Sequence, residues 1–275
     1  MDGILIIDKP AGITSHDVVA RVRRILQTKR VGHTGTLDPF ATGVMVILIG
    51  QATRLAQFLD KDEKEYEALV RFGFETDTGD RTGSPKPQVP SPKSLSVESV
   101  RAVLDDFRGQ IEQTPPMYSA KKVDGKKLYE QARKGETVER KPISVRINEL
   151  EIIDNSEIHN PQSTIRIRVA CSAGTYIRTL AEDIGRKVGV GAHLAELRRT
   201  RAGKFGIEQG VTLEKLEQVE DKQTALIQME EAVSHLAAFT LNADRVGKTK
   251  SGMSTRVFDV QFVAGQPIRM IDEDG

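Results

Sequence analysis

The chain has 275 residues, 38% of them hydrophobic, and a formal net charge of +1 from 40 Lys+Arg and 39 Asp+Glu. That length accommodates one large domain with a small appendage, and no apolar run approaches the ~20 residues of a membrane span. The single cysteine, Cys171, excludes an intramolecular disulfide and a cysteine-rich zinc site; Met1-Asp2-Gly3 opens no basic-then-apolar secretory pattern, so a cytoplasmic protein is expected.

Gly3–Ile7 is predicted to be a short buried strand ended by Asp8-Lys9-Pro10-Ala11-Gly12. Thr14 and Asp17 then form a capping-box-like start for a helix whose inner face is Val18, Val19, Val22, Ile25 and Leu26. Val44–Ile49 is continuously apolar and reads as a strand buried on both faces. A short helix is expected around Thr53–Leu59. In Lys64–Gly73, alternation places Tyr66, Ala68, Val70 and Phe72 on one side of a strand.

Residues 74–95, rich in Gly, Pro, Ser, Thr and Asp, read as a long surface excursion. A helix begins near Ser96 with Leu95 and Val100 as a hydrophobic staple, and its core face is Val100, Val103, Leu104 and Phe107. Residues 113–141 are basic and punctuated by Pro and Gly, with one short helix near Lys127–Lys134; they read as an insertion able to move. Strands follow at Ile143–Ile153 and Thr164–Cys171, the second with Ile165, Ile167, Val169 and Cys171 facing in and Arg166 and Arg168 facing out. Ile177, Leu180, Ala181 and Ile184 mark a helix, Leu194–Phe205 a strand, and residues 211–218 a short helix before an acidic linker reaching Glu231. Strands mixed irregularly with helices favour a mixed α/β (α+β) fold. Short β-like pieces are expected near Ala238–Leu241 and Val257–Val263.

Charge is uneven along this path. Six Lys/Arg face one acid in residues 9–30, nine face four in 121–147, and seven face three in 178–204. Three basic segments inside a neutral total are compatible with a phosphate-binding surface.

The most informative segment is Gly32-His33-Thr34-Gly35-Thr36-Leu37-Asp38-Pro39-Phe40-Ala41-Thr42-Gly43. One carboxylate lies among three glycines and three threonines and precedes a proline, a composition suited to a rigid loop rather than a helix or central strand. An isolated Asp-Pro ordinarily starts a turn. The pairing of His33 with Asp38 suggests either a hydrolytic dyad or two metal ligands, but His16, His193 and His235 are scattered without metal spacing, as is His159. The loop lacks the Gly-Lys-Ser/Thr ending of a nucleotide-binding P-loop.

The complete string closely resembles the catalytic loop of bacterial tRNA pseudouridine synthases of the uridine-55, or T-arm, type. Four further segments resemble that family in the same order: residues 3–15 its opening strand and turn, Lys64-Glu65-Tyr66-Glu67-Ala68 its K-x-Y-x-A strand, residues 171–180 its G-T-Y-I-R element, and Leu197-Arg198-Arg199-Thr200 its leucine-arginine-arginine strand. The resemblance implies a mixed, largely antiparallel sheet with flanking helices over residues 1–228, including an RNA-binding insertion at about 113–141. Residues 229–275 stand where the family has a small RNA-binding β domain of the PUA type, and here read as an abbreviated one.

The activity it implies is isomerisation of uridine to pseudouridine at position 55 in the T-loop of tRNA, without cofactor or metal. That reaction breaks N1–C1′, turns the base and rejoins it through C5, which requires a flipped nucleotide and a carboxylate but neither redox partner nor hydrolytic water. Asp38 is implied as the catalytic residue, attacking C6 or C1′ or removing a ribose proton. Arg178 is the implied partner that holds Asp38 ionised, although an arginine in a first helical turn is otherwise an ordinary surface residue. Tyr66, on pattern alone a core tyrosine, is implied to stack on the base and relay the C5 proton. Tyr176 and Leu197 are implied pocket walls, though their spacing alone fits core packing, and His33 is implied to contact RNA. Lys9 either meets phosphate or caps the site floor. The expected partner is the tRNA T-arm stem-loop, met by a monomer with no membrane and no guide RNA. The competing readings are a tRNA-binding folding helper, which would not require Asp38, Tyr66 and Arg178 together, and a guide-RNA-dependent branch of the same superfamily.

Overall fold

The computed structural model describes the chain apart from residues 88–94, 120, 124, 133, 137, 155–162, 256–261, 264 and 274–275, and apart from the side chains at 122 and 127. In chain order the elements are β1 (Gly3–Lys9), α1 (Ser15–Ile25), β2 (Val31–Thr34), β3 (Thr42–Ile49), α2 (Ala56–Leu59), β4 (Lys64–Phe72), α3 (Val97–Leu104), β5 (Gly109–Gln113), β6 (Lys122–Val123), β7 (Lys126–Lys127) and α4 (Leu128–Ala132). Then come β8 (Ile143–Ile152), β9 (Thr164–Cys171), α5 (Ile177–Val188), β10 (Ala192–Ala202), β11 (Phe205–Gly206), α6 (Leu213–Gln218), α7 (Met229–Ala232), β12 (Ala238–Thr240), α8 (Ala243–Lys250) and β13 (Arg269–Ile271).

The main sheet runs β1-β3-β10-β4-β9-β8-β5, with β2 added to β3 and β11 to β10. Its pairings are antiparallel except where β10 meets β3 in parallel, at Arg198↔Thr42 and Arg199↔Gly43. The sheet is therefore mixed and largely antiparallel, with helices flanking it, as the motifs imply. Among the described residues, no helix is long and apolar enough to cross a membrane.

Strand periodicity explains the layers. In β1 and β3, Leu5, Ile7, Met45, Ile47 and Ile49 pack against Val18 and Val22 of α1 and Leu213 and Leu216 of α6. The alternate residues Ile4, Ile6, Val44, Val46 and Leu48 pack on the other face with Leu59, Phe205 and Ala232. Both faces are covered, so these strands are apolar throughout. Each such side chain contributes about 1.5–3 kcal/mol by leaving water. Farther along, Ala68, Val70, Ile165, Ile167 and Val169 face α3 and α5 through Val100, Leu104, Leu180 and Ile184. The opposite face of these strands is polar and carries cross-strand ion pairs, Arg166–Glu196 at 3.1 Å and Arg168–Glu151 at 2.8 Å.

The β3–β10 junction depends on one glycine. Gly43 has φ +102°, and a Cβ there would lie 2.1 Å from the Arg199 carbonyl oxygen. Only a glycine lets the two backbones approach this closely in this conformation. Gly43→Ala is expected to cost about 3 kcal/mol of stability through strain and overpacking, read as a lowered urea midpoint at unchanged slope.

Two expectations need correction. The segment from residue 74 is a surface excursion only in part: Asp77, Arg81, Thr82, Ser84, Pro85 and Pro87 are exposed, but Thr76 and Asp80 are only 2% and 4% exposed. Leu194 donates its N–H to the Gly79 carbonyl at 3.0 Å, and Arg81 donates to the Leu194 carbonyl at 2.8 Å, fastening the segment to β10. Its polar residues satisfy one another, since the Asp80 carboxylate accepts from the Thr78 hydroxyl at 2.9 Å and the Thr82 N–H at 2.8 Å. At Thr76 and Asp80 polarity reports local hydrogen bonding, not exposure. Secondly, the acidic stretch to Glu231 is not a free linker, because Ile227 exchanges backbone hydrogen bonds of 2.8 and 2.9 Å with Ile4. Its acids point to solvent while Leu213, Leu216 and Ala232 are buried. The β-like piece expected near Ala238–Leu241 is β12, which pairs in parallel with β13, with α8 between them. The expected piece at Val257–Val263 lies almost wholly outside the described residues.

Candidate active site

Asp38 occupies the turn between β2 and β3, and that loop is pinned from three sides. From α1, the buried Ser15 hydroxyl donates to the Leu37 carbonyl at 3.0 Å and accepts from the Leu37 N–H at 2.9 Å. From β1, the fully buried Lys9 ammonium donates to the carbonyls of Ala41 at 2.7 Å, Pro10 at 3.0 Å and Pro39 at 3.2 Å. From β10, the Arg199 guanidinium donates to the Val44 carbonyl at 2.7 Å and the Gly35 carbonyl at 2.9 Å. Lys9 is thus the floor of the loop. Burial lowers its ammonium to about 8, with the Asp38 carboxylate opposing the shift.

Arg178 reaches Asp38 from the first turn of α5. Its Nε lies 2.8 Å from Asp38 Oδ2 and its Nη2 3.2 Å from Oδ1, a side-on bidentate pair. The guanidinium is itself fixed by the carbonyls of Thr78 at 2.9 Å and Tyr118 at 2.6 Å, and Asp80 Oδ2 lies 3.9 Å away. The start of α5 is set by Gln113 of β5, whose side-chain amide accepts from the Tyr176 N–H at 3.0 Å and donates to the Tyr176 carbonyl at 3.2 Å. A buried amide side chain thereby satisfies helix-terminal groups that no hydroxyl cap reaches.

The Asp38 side chain keeps 32% of its surface open, while that of Arg178 keeps 6%. Burial behind this one open edge raises the carboxyl above the ordinary aspartate value; Arg178 and Lys9 pull it down, and Asp80 pushes it up. A partly desolvated carboxylate clamped by a rigid fork can act as nucleophile or base without reorganising. The Tyr66 phenol is raised by burial, with Arg199 opposing, and so is the Tyr176 phenol. Both rings are neutral near pH 7.

Asp38 opens onto a cavity of ≈ 320 Å³ whose walls include Tyr66, Tyr176, Arg178, Leu197 and Arg199. Five of the six residues singled out in the sequence therefore meet at one cavity. His33 is not among its lining residues. It lies on β2, where its ring centroid is 6.1 Å from that of His16 and burial holds its imidazole below the ordinary value. Sequence reasoning missed Lys64, Arg199, Gln113 and Asp80. Two of these carried a signal: Lys64 shares the inward phase of Tyr66, Ala68 and Val70, and Arg199 that of Leu197. A cation on the inward face of a strand is rarely there for packing alone.

Residues 23–177 match the family model described as TruB family pseudouridylate synthase, N terminal domain, and residues 178–236 match the tRNA pseudouridylate synthase B C-terminal domain. The chain belongs to the TruB family. It is 46% identical over 261 residues to the tRNA pseudouridine synthase B of Geobacillus kaustophilus, covering 94% of this chain and 92% of that one. The identity to the protein of the same name from Solibacter usitatus is 50%, over 79% of this chain and 72% of the relative. Geobacter sulfurreducens has a relative of that name at 41%, with coverages of 98% and 87%. Among solved structures, a chain of a Cbf5-Nop10-Gar1 complex is similar with a TM-score of 0.70 and 32% identity, over 92% of this chain and 68% of that one. An H/ACA RNP bound to a substrate RNA containing 2′-deoxyuridine includes a chain similar at 0.73 and 28%, with coverages of 98% and 74%.

Proposed function

We propose that this chain isomerises uridine to pseudouridine in tRNA, at position 55 of the T-loop, with Asp38 acting on an extruded base. The observation that carries this reading is the Asp38 carboxylate held bidentately by Arg178 at the wall of a cavity that Tyr66 also lines. Its volume, ≈ 320 Å³, suits a flipped pyrimidine nucleoside. The relatives' names support tRNA as the RNA class.

In this reading Asp38 attacks C6 or C1′, or takes a ribose proton; Arg178 keeps it ionised and aimed. Tyr66 stacks on the base, and Tyr176 and Leu197 wall it in. His33, outside the cavity lining, contacts the RNA beside the extruded nucleotide. Residues 1–228 form the catalytic domain, about 113–141 close on the T-arm, and 229–275 add a short RNA-binding region. The enzyme acts as a monomer. The likeness to chains of a Cbf5-Nop10-Gar1 complex and of an H/ACA RNP bound to a substrate RNA favours a second reading, in which the chain works within a ribonucleoprotein and a guide RNA presents the uridine. Incubation with unmodified tRNA transcripts, followed by pseudouridine-specific mapping, separates the two. The first reading expects modification at position 55 with no guide RNA present, and loss of product when that uridine is replaced. Product at another position, or only with a guide, overturns it.

Tyr66→Phe tests the proton relay. Turnover is expected to fall about 100-fold, the usual size of a lost general acid or base, with T-arm affinity unchanged in a filter-binding titration. Unaltered turnover assigns Tyr66 to stacking alone.

A further inference from the structure

We infer that Lys64 touches the substrate: its ammonium donates a hydrogen bond to a ring carbonyl oxygen of the extruded pyrimidine and stabilises the negative charge that collects there. The inference rests on the uridine-isomerising reading of the cavity. Lys64 begins β4 on the inward face and is 5% exposed. Its Nζ donates to the carbonyls of Asp60 at 2.7 Å and Asp62 at 2.6 Å. An ammonium carries three N–H donors, so among the described residues one remains unspent. No carboxylate lies within ion-pair distance of it among the described residues, and the side chain lines the same cavity as Tyr66, two residues along on the same strand face. Its stem is also packed against the loop that presents Asp38: the position of a Cβ on Gly35 lies 3.6 Å from Lys64 Cε.

A buried cation with an unused donor is costly unless an anion arrives to meet it. Burial and the neighbouring Arg199 hold the Lys64 ammonium below its ordinary value, with the more distant Asp60 and Asp62 carboxylates only partly opposing. The chemistry supplies that anion by every route open to Asp38. Attack at C6 forms an O–C6 bond and pushes the C5=C6 pair onto O4 as an enolate. Attack at C1′ forms an O–C1′ bond, breaks C1′–N1 and leaves that pair on the ring, shared by N1 and the carbonyl oxygens. Removal of a ribose proton by Asp38 expels the same ring anion. Lys64 keeps its proton throughout and offers only the hydrogen bond, a preorganised donor aimed where charge develops.

The test is single-turnover conversion of a T-arm stem-loop carrying uridine or 5-fluorouridine at the target position, by the wild type, Lys64→Met and Lys64→Arg. With uridine, Lys64→Met is expected to be slower by roughly 100-fold, the scale of one lost charge-stabilising donor, while stem-loop affinity stays within about threefold. With 5-fluorouridine the loss is expected to shrink at least ~10-fold, because fluorine itself stabilises the ring anion and stands in for the missing donor. Lys64→Arg, which keeps the charge, is expected to recover most of the rate. Equal losses on both substrates, as a merely structural lysine would give, overturn the inference, as does a loss confined to affinity or an undiminished Lys64→Met rate. A wild type that fails to convert uridine sinks the reading of the function instead.

Discussion

Asp38→Asn is expected to lower turnover by at least about 10⁴-fold, the scale seen when a reacting group is removed from a preorganised site, while T-arm affinity changes little. The substitution preserves volume and leaves one oxygen to accept from Arg178, so the loop, held by Ser15, Lys9 and Arg199 through backbone groups of its neighbours, keeps its shape. What is lost is the anionic oxygen, and an amide neither attacks carbon nor takes a proton from it. Tritium release from C5-labelled uridine in a T-arm stem-loop reads turnover, and filter binding reads affinity. Retained turnover in the variant would remove Asp38 from the chemistry altogether. Lost turnover with equally lost affinity would make it a binding residue.

The second large effect belongs to Arg178. Arg178→Met is expected to reduce turnover about 10³-fold and to lower stability by about 3 kcal/mol, since removing one partner of a mostly buried pair strands the other. Asp38 and Asp80 would then face each other across a lost cation, and the carbonyls of Thr78 and Tyr118 would lose their donor. The pH dependence follows in sign. In the proposed mechanism Asp38 acts ionised, and burial already raises its carboxyl, so the wild-type rate should fall with acidification at a pH above the ordinary aspartate range. Arg178 opposes that shift; without it the acid limb of the single-turnover profile moves to still higher pH. Arg178→Lys keeps a charge but not the fork, so an intermediate rate and a limb between the two are expected. An acid limb that stays in place in Arg178→Met would show that the guanidinium does not govern the carboxylate's ionisation.

The legibility of this molecule differs by element. The capping box at Thr14 and Asp17, the apolar run of β3 and the alternation of β4 and β9 are local patterns, and each corresponds to the element it implied. The burial of Thr76 and Asp80 within residues 74–87 leaves no mark in composition, because a run of Thr, Asp and Gly looks the same whether its hydroxyls bond water or, as here, the Asp80 carboxylate. Lys64 and Arg199 share the inward phase of Tyr66 and Leu197 in their strands, a visible signal, but only the packed sheet shows that this phase faces the cavity. Gln113 left no local trace, since its role exists only once β5 lies beside α5.

From the amino-acid order alone came the period-two and period-3.6 faces, the rigid loop around Asp38 and the set of motifs that mark the family, because each depends on residues within a dozen positions of one another. Only the tertiary structure decided which charges surround that carboxylate. Arg178 lies 140 positions from Asp38, and Lys9 reaches Ala41 across 32. Burial, which raises the Asp38 and Tyr66 groups and lowers Lys64, is a property of the packed sheet and its covering helices, and no stretch of the chain carries it by itself.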